Sequence, residues 1–164
     1  LEKPDFSGNI AGMINVLTFD ELGHLMPYAP ISTNFTTLES TFVEPFATSM
    51  TRRAIFNAFV SYLTELKAAL NVSLEIWVNC SFTTQKRDPN DVDFVIFVDK
   101  VISMAYKDTI CQFRQRRFAK NSVTDGYFIE TVPEEHPDYS LYQFDRQDWH
   151  RAFVFGRNEQ KGYL

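Results

Sequence analysis

Asp91 and Asp93 stand one residue apart at the head of an apolar run, Val92-Asp93-Phe94-Val95-Ile96-Phe97-Val98. On a strand, residues i and i+2 project from one face, so the two carboxylates would lie side by side. Like charges that close repel unless a divalent cation neutralises them. A third acid on a neighbouring strand would complete a site for one or two Mg2+ (or Mn2+) ions. Asp125, which opens the later segment Asp125-Gly126-Tyr127-Phe128-Ile129, is the candidate. Metal ions held in this way activate an attacking hydroxyl and stabilise a leaving pyrophosphate. A plainer reading stands beside this one. Asp and Asn are common just before strands, and Asp88-Pro89-Asn90-Asp91 is a turn that requires no metal.

The elements that must position these acids can be read from periodicity. Ile55, Phe59, Leu63, Leu66 and Leu70 recur at spacings of three and four, which predicts a helix from about Thr51 to a stop at Asn71. Arg52, Arg53, Asn57, Glu65 and Lys67 fall off that stripe. Ser73 to Val78 alternates and reads as a strand, Ser81 to Asn90 as a polar loop, and Val92 to Val98 as a central strand apolar on both faces. Val101 to Lys120 reads as a helix with Val101, Met104, Ala105, Cys111 and Phe118 inward, and Asp99 as its N-cap. Val123 to Val132 is a third strand. An aromatic tail of mixed character follows, ending in a polar segment from Gly156 to Lys161. Residues 1–48, broken by Pro and Gly, read as an extended arm that wraps the domain. The expected fold is a single α+β domain over residues 1–164, an α/β sandwich with helices packed on a small mixed central sheet.

The order of these parts carries a resemblance. Helix, strand, serine, polar loop, D-x-D opening a buried strand, helix, then a strand bearing an acid is similar to the signature of the nucleotidyltransferase (polymerase-β-like) superfamily. Ser81, Asp91, Asp93 and Asp125 fall in its places. A closer likeness, over roughly residues 14–164, is to a small bacterial family of uncharacterised proteins with that fold. Its shared features are Phe19-Asp20-Glu21 to Leu25, Trp77-Val78 before the serine, Pro89 to Asp93, Asp125 to Phe128, and Lys161-Gly162. The resemblance implies Mg2+ (or Mn2+) on Asp91, Asp93 and Asp125, and an NTP substrate whose terminal phosphates meet Ser81 and Lys86. It implies transfer of a nucleoside monophosphate to a hydroxyl on RNA, protein or a small molecule, with Asp125 nearest that hydroxyl. The sequence departs from the signature at one place: Cys80 precedes Ser81 where the superfamily has glycine. That departure supports the alternative of a catalytically degenerate partner protein in a toxin–antitoxin or defence system.

Composition narrows the remaining classes. The 164 residues are 45% hydrophobic and 23% charged, with sixteen Phe, as expected of an ordinary globular chain. A net charge of −5 argues against a general nucleic-acid trap. The local cluster Arg114 to Lys120 reads as a solvated helix face, with phosphate contact as the alternative. Lys86 and Arg87 likewise read as loop charges unless a phosphate lies nearby. Two cysteines without CxxC spacing define neither a zinc site nor a disulfide framework. His24, His136 and His150 share no ligand spacing. The sequons at Asn34, Asn71 and Asn79 read as chance. No apolar run is long enough to span a membrane and no signal peptide is visible, so the expected location is cytoplasmic.

Overall fold

The organising element is a long helix on one face of a short sheet. In the computed structural model, which describes residues 17–155 and 160–164, the chain forms five strands and five α-helices. Residues 1–16 of the arm and 156–159 of the polar tail lie outside the described residues. The rest of the arm is built: β1 (Thr18–Phe19) pairs antiparallel with β2 (Leu25–Met26), and α1 (Phe35–Phe42) is capped by the Asn34 side chain. Then come α2 (Arg52–Leu70), β3 (Glu75–Asn79), β4 (Val92–Asp99), α3 (Lys100–Ala105), α4 (Lys107–Gln115), β5 (Thr124–Thr131) and α5 (Tyr139–Val154).

The central sheet has the order β3-β4-β5, with β3 antiparallel and β5 parallel to β4. It is the small mixed sheet of an α+β sandwich. α2 ends where Asn71 takes the left-handed conformation (φ 51°) and its N–H bonds the Lys67 carbonyl. Its inward stripe meets the sheet through aromatic edges, with Phe59 and Tyr62 each 5.0 Å from Phe94. The opposite face of the sheet is covered by α5 and the C-terminal residues. There Trp77, Phe97, Trp149, Phe153 and Tyr163 form a second apolar cluster.

Two expectations need correction. Val101, Met104, Ala105, Cys111 and Phe118 do not line an inner helix face; all five are exposed. The helix is interrupted at Tyr106 (φ −113°, ψ 30°), which resets its phase so that Ile110 and Phe113 turn inward instead. Arg52, placed off the apolar stripe of α2, is completely buried. Asp99 does cap α3, accepting from the Val101 N–H at 2.7 Å. No described helix is long and apolar enough to cross a membrane.

The C-terminal residues close one edge of the sheet. Val78 and Leu164 exchange backbone hydrogen bonds in both directions, while the Gly162 N–H reaches the Leu25 carbonyl and the Ile31 N–H reaches that of Tyr163. These residues therefore lie between the arm and β3 and tie the two together.

Candidate functional site

Register places the acids. Asp93 is the Cα partner of Asn79 on one side and of Asp125 on the other, so Asp93 and Asp125 occupy neighbouring strands at the same level. Adjacent strands lie about 4.8 Å apart, and in-register side chains share a face. Asp91, two residues before Asp93, precedes β4 on the same side. Asn79 fixes this end of the sheet by donating from Nδ2 to the Phe153 carbonyl of α5 at 2.9 Å.

Cys80 joins the two acids of the D-x-D pair. Candidate ligand atoms of Cys80, Asp91 and Asp93 all lie within 4.8 Å of one another. The thiol lies 3.3 Å from Asp91 Oδ1 and in donating geometry to it. Burial, followed by the nearby charge of Asp93, raises the Cys80 pKa, so the sulfur stays a thiol at neutral pH. The Asp93 carboxyl is pushed up to about 6, first by burial and then by the charge of Asp91, with Asp125 adding to the effect. The Cys80 thiol and the charge of Lys161 partly offset that rise.

The backbone at Cys80 is informative. With φ 83° and ψ −170°, the residue sits in a region that favours glycine. A Cβ there is strained by about 1–3 kcal/mol. Cys80→Gly releases that strain against a larger entropy loss from the unfolded chain, about 0.5–1 kcal/mol. The expected net outcome is a gain of about 1 kcal/mol, read as a Tm rise of about 2–4 °C. A lower Tm would show that thiol packing outweighs the backbone strain.

Asp125 is held differently. Tyr127 Oη donates to its Oδ2 at 3.0 Å, and Arg117 Nη2 approaches the same oxygen at 3.4 Å and Tyr127 Oη at 2.5 Å. Arg117 Nε lies 2.9 Å from Oδ1 as an ion pair without hydrogen-bond alignment, so the buried Oδ1 has no hydrogen bond of its own. The Arg117 guanidinium also stacks on the Tyr127 ring at 3.8 Å. Part of the basic cluster is thus spent on the site: Arg117 on Asp125, while Arg116 pairs with Glu65 of α2 at 2.7 Å.

Ser81 opens a three-residue 3-10 turn, Ser81–Thr83, and not a full helix whose N-terminus could face phosphates. Lys86 is exposed, and its ammonium makes no ion pair with a described residue. What Lys86 does supply is its carbonyl. Arg52 donates to the carbonyls of Phe42 and Phe82 at 2.8 Å, to that of Thr84 at 2.7 Å, and to that of Lys86. Its guanidinium lies 3.9 Å over the Phe46 ring. Sequence reasoning missed Arg52, Arg117 and Tyr127. The signals available were an arginine at the first turn of an apolar helix, the basic cluster that holds Arg117, and a tyrosine two residues beyond the third acid.

A family model described as a family of unknown function (DUF6932) matches residues 17–164. The chain belongs to this family. No curated protein and no solved structure matches it. The match covers β1 to the C-terminal residues, so the acid cluster, Arg52 and the closing pair Val78–Leu164 all lie within the family's extent.

Proposed function

We propose that this member of the DUF6932 family is a nucleotidyltransferase-fold protein that binds a divalent cation and an NTP at Asp91, Asp93 and Asp125. The reaction would transfer a nucleoside monophosphate to a hydroxyl acceptor. The observation that carries this reading is the crowding of Asp91 and Asp93 around Cys80, with Asp125 beside Asp93 on the next strand but outside that cluster. Asp93 and Asp125 are registered neighbours, Asp91 and Asp93 converge with Cys80, and the Asp93 proton is retained up to about 6. A cation is the natural counter-charge for such a set, and Asp125 Oδ1 has an unused hydrogen-bonding capacity. The ion, when bound, would supply Lewis acidity toward the phosphates. Asp91 and Asp93 would hold it, Ser81 would meet the terminal phosphates, and Asp125 would take the acceptor's proton. Lys86, exposed on the same loop, is available to phosphate.

A second reading is favoured by one observation. Arg117 already supplies a positive charge to Asp125, and Cys80 stands in the glycine position. Both fit a catalytically degenerate partner protein, in a toxin–antitoxin or defence system, in which Arg117 takes the place of the metal.

Isothermal titration with Mg2+ and ATP or CTP separates the two. The transfer reading expects heat from the native protein and none from Asp93→Ala. No heat from either protein overturns it in favour of the degenerate partner. Heat from Arg117→Ala alone would identify the guanidinium as the built-in replacement for the ion.

A further inference from the structure

Two exposed side chains around Arg117 stand outside the packing of the core. Phe118 is 73% exposed although it sits in a short turn beside the sheet. Arg114 is exposed as well and makes no ion pair with a described residue. Both belong to the basic cluster Arg114 to Lys120, from which Arg116 turns away to pair with Glu65. Arg114 and Arg117 stand three residues apart, at the end of α4 and in the turn that follows. That spacing puts them on one side, and they line one cavity of ≈ 360 Å³ together with Phe118, Tyr127 and Trp149. The volume falls within the range of about 300–1,000 Å³ that small-molecule sites occupy.

The wall of this cavity is a stack of flat groups. The Arg117 guanidinium lies 5.2 Å from the centre of the Phe118 ring and 3.8 Å from that of Tyr127, and Tyr127 lies 4.5 Å from Trp149. Aromatic and guanidinium planes of this kind are what a planar ring stacks on. The polar side chains of the lining are Arg114, Gln115, Arg117 and Tyr127, with no carboxylate among them. The adjoining cavity, of ≈ 420 Å³, mixes Lys100 with Glu130, Asp138 and Asp145 and selects neither sign of charge. Arg114 borders both cavities yet pairs with none of those acids. Arg117 is shared with Asp125, so the smaller cavity keeps one guanidinium, that of Arg114, in excess. Its lining therefore fits an occupant that is planar, aromatic and anionic.

We infer that this cavity binds a nucleoside phosphate, with its base stacked against Phe118 and Trp149 and its phosphate on Arg114 and Arg117. Arg117 and Tyr127 also hold Asp125, so a ligand here lies next to the third acid. An arriving phosphate competes with Asp125 for Arg117 and so frees the carboxylate. On the transfer reading the cavity is then the acceptor subsite, and a ribose hydroxyl of the ligand is the group presented to Asp125. That role rests on the transfer reading, whereas the binding itself does not.

The probe is AMP, titrated without divalent cation into the full 164-residue chain and followed by NMR of the Trp149 indole N–H and the backbone amides. Trp149, Phe118 and Tyr127 are expected to shift together. Phe118→Ala removes a stacking face and is expected to weaken AMP binding at least about fivefold. Arg114→Ala removes a charge-assisted bond to the phosphate and is expected to weaken it about tenfold. Both side chains are exposed, so neither variant threatens the fold. Adenosine and inorganic phosphate, each carrying one part of the ligand, should bind more weakly than AMP. Asp93→Asn should keep AMP while losing the response to Mg2+ and ATP, so a failed transfer reading leaves this result standing. Single-stranded tri-adenylate distinguishes the source of the ligand: tighter binding than that of AMP assigns a strand end, and equal or weaker binding a free nucleotide. No binding of AMP, shifts confined to Ser81 and Asp91, or an affinity unchanged in both variants overturns the inference.

Discussion

Arg52→Met is expected to lower the unfolding free energy by about 3–5 kcal/mol, with a Tm fall of about 10 °C. The guanidinium is wholly buried, and it serves four backbone carbonyls from two separate stretches: Phe42 at the end of α1, and Phe82, Thr84 and Lys86 in the loop after β3. Burial draws its pKa down to about 10, with Asp88 opposing, so it remains cationic at neutral pH. Methionine fills much of the volume but donates nothing, and each carbonyl left dry costs about 1–3 kcal/mol before water enters. Arg52→Lys should recover little, because a compact ammonium cannot reproduce a planar fork that reaches four acceptors. Arg53→Met, the neighbouring exposed cation paired with Glu39, should change stability by less than about 1 kcal/mol. Urea denaturation of the three variants checks the ranking; equal losses at the two positions would show that Arg52 is not the anchor. The same loop carries Cys80 and Ser81, so the loss of Arg52 should also loosen the approach to Asp91 and Asp93.

The sheet was legible because its strands obey simple rules. Val92 to Val98 is apolar at nearly every position, as a strand covered on both faces must be, and its flanking acids announced one side. α2 was equally plain, since its stripe is carried by Ile55, Phe59, Leu63, Leu66 and Leu70 with no break. α5 was hidden by a single residue. Its inward line runs Tyr142, Arg146, Trp149, Phe153, and a charge in the middle ends an apolar pattern on paper. In the structure the Arg146 guanidinium packs 4.7 Å from the Trp77 ring and 4.8 Å from that of Phe97, with Glu75 2.7 Å away, so it behaves as part of the apolar face. α1 was hidden by its brevity and by the prolines around it. At the acid cluster, spacing along the strands indicated which carboxylates share a level. It could not show that Arg117, from the turn after α4, reaches back to Asp125, because that contact depends on where a helix ends.

Asp93→Asn is expected to make the protein more stable at neutral pH while removing its response to divalent cations. The Asp93 carboxyl titrates near 3.8 when exposed and about 6 in the folded chain, raised by burial and by Asp91. Between those values the folded form holds more protons than the unfolded form, so the native protein loses stability as pH rises through this window and is level above it. The native advantage is therefore present below about pH 4 and gone above about pH 6. The full difference, 6 − 3.8 = 2.2 pKa units, corresponds to about 3 kcal/mol, and partial solvent access reduces it to about 2 kcal/mol. Asparagine has the same shape and no charge to desolvate. The variant should exceed the native protein by about 2 kcal/mol at pH 7.5 and match it near pH 4. On the proposed reading Mg2+ would reverse the ranking in part, because a ligand bound only by the folded state stabilises it by RT ln(1 + [L]/Kd), about 2.7 kcal/mol at a hundred times Kd. Thermal melts at the two pH values, with and without the ion, supply the check. A gap between native protein and Asp93→Asn that is the same at pH 4 and 7.5, or a native protein that ignores Mg2+ as fully as Asp93→Asn does, would mean that the acids at the head of β4 are not held under charge strain for a cation.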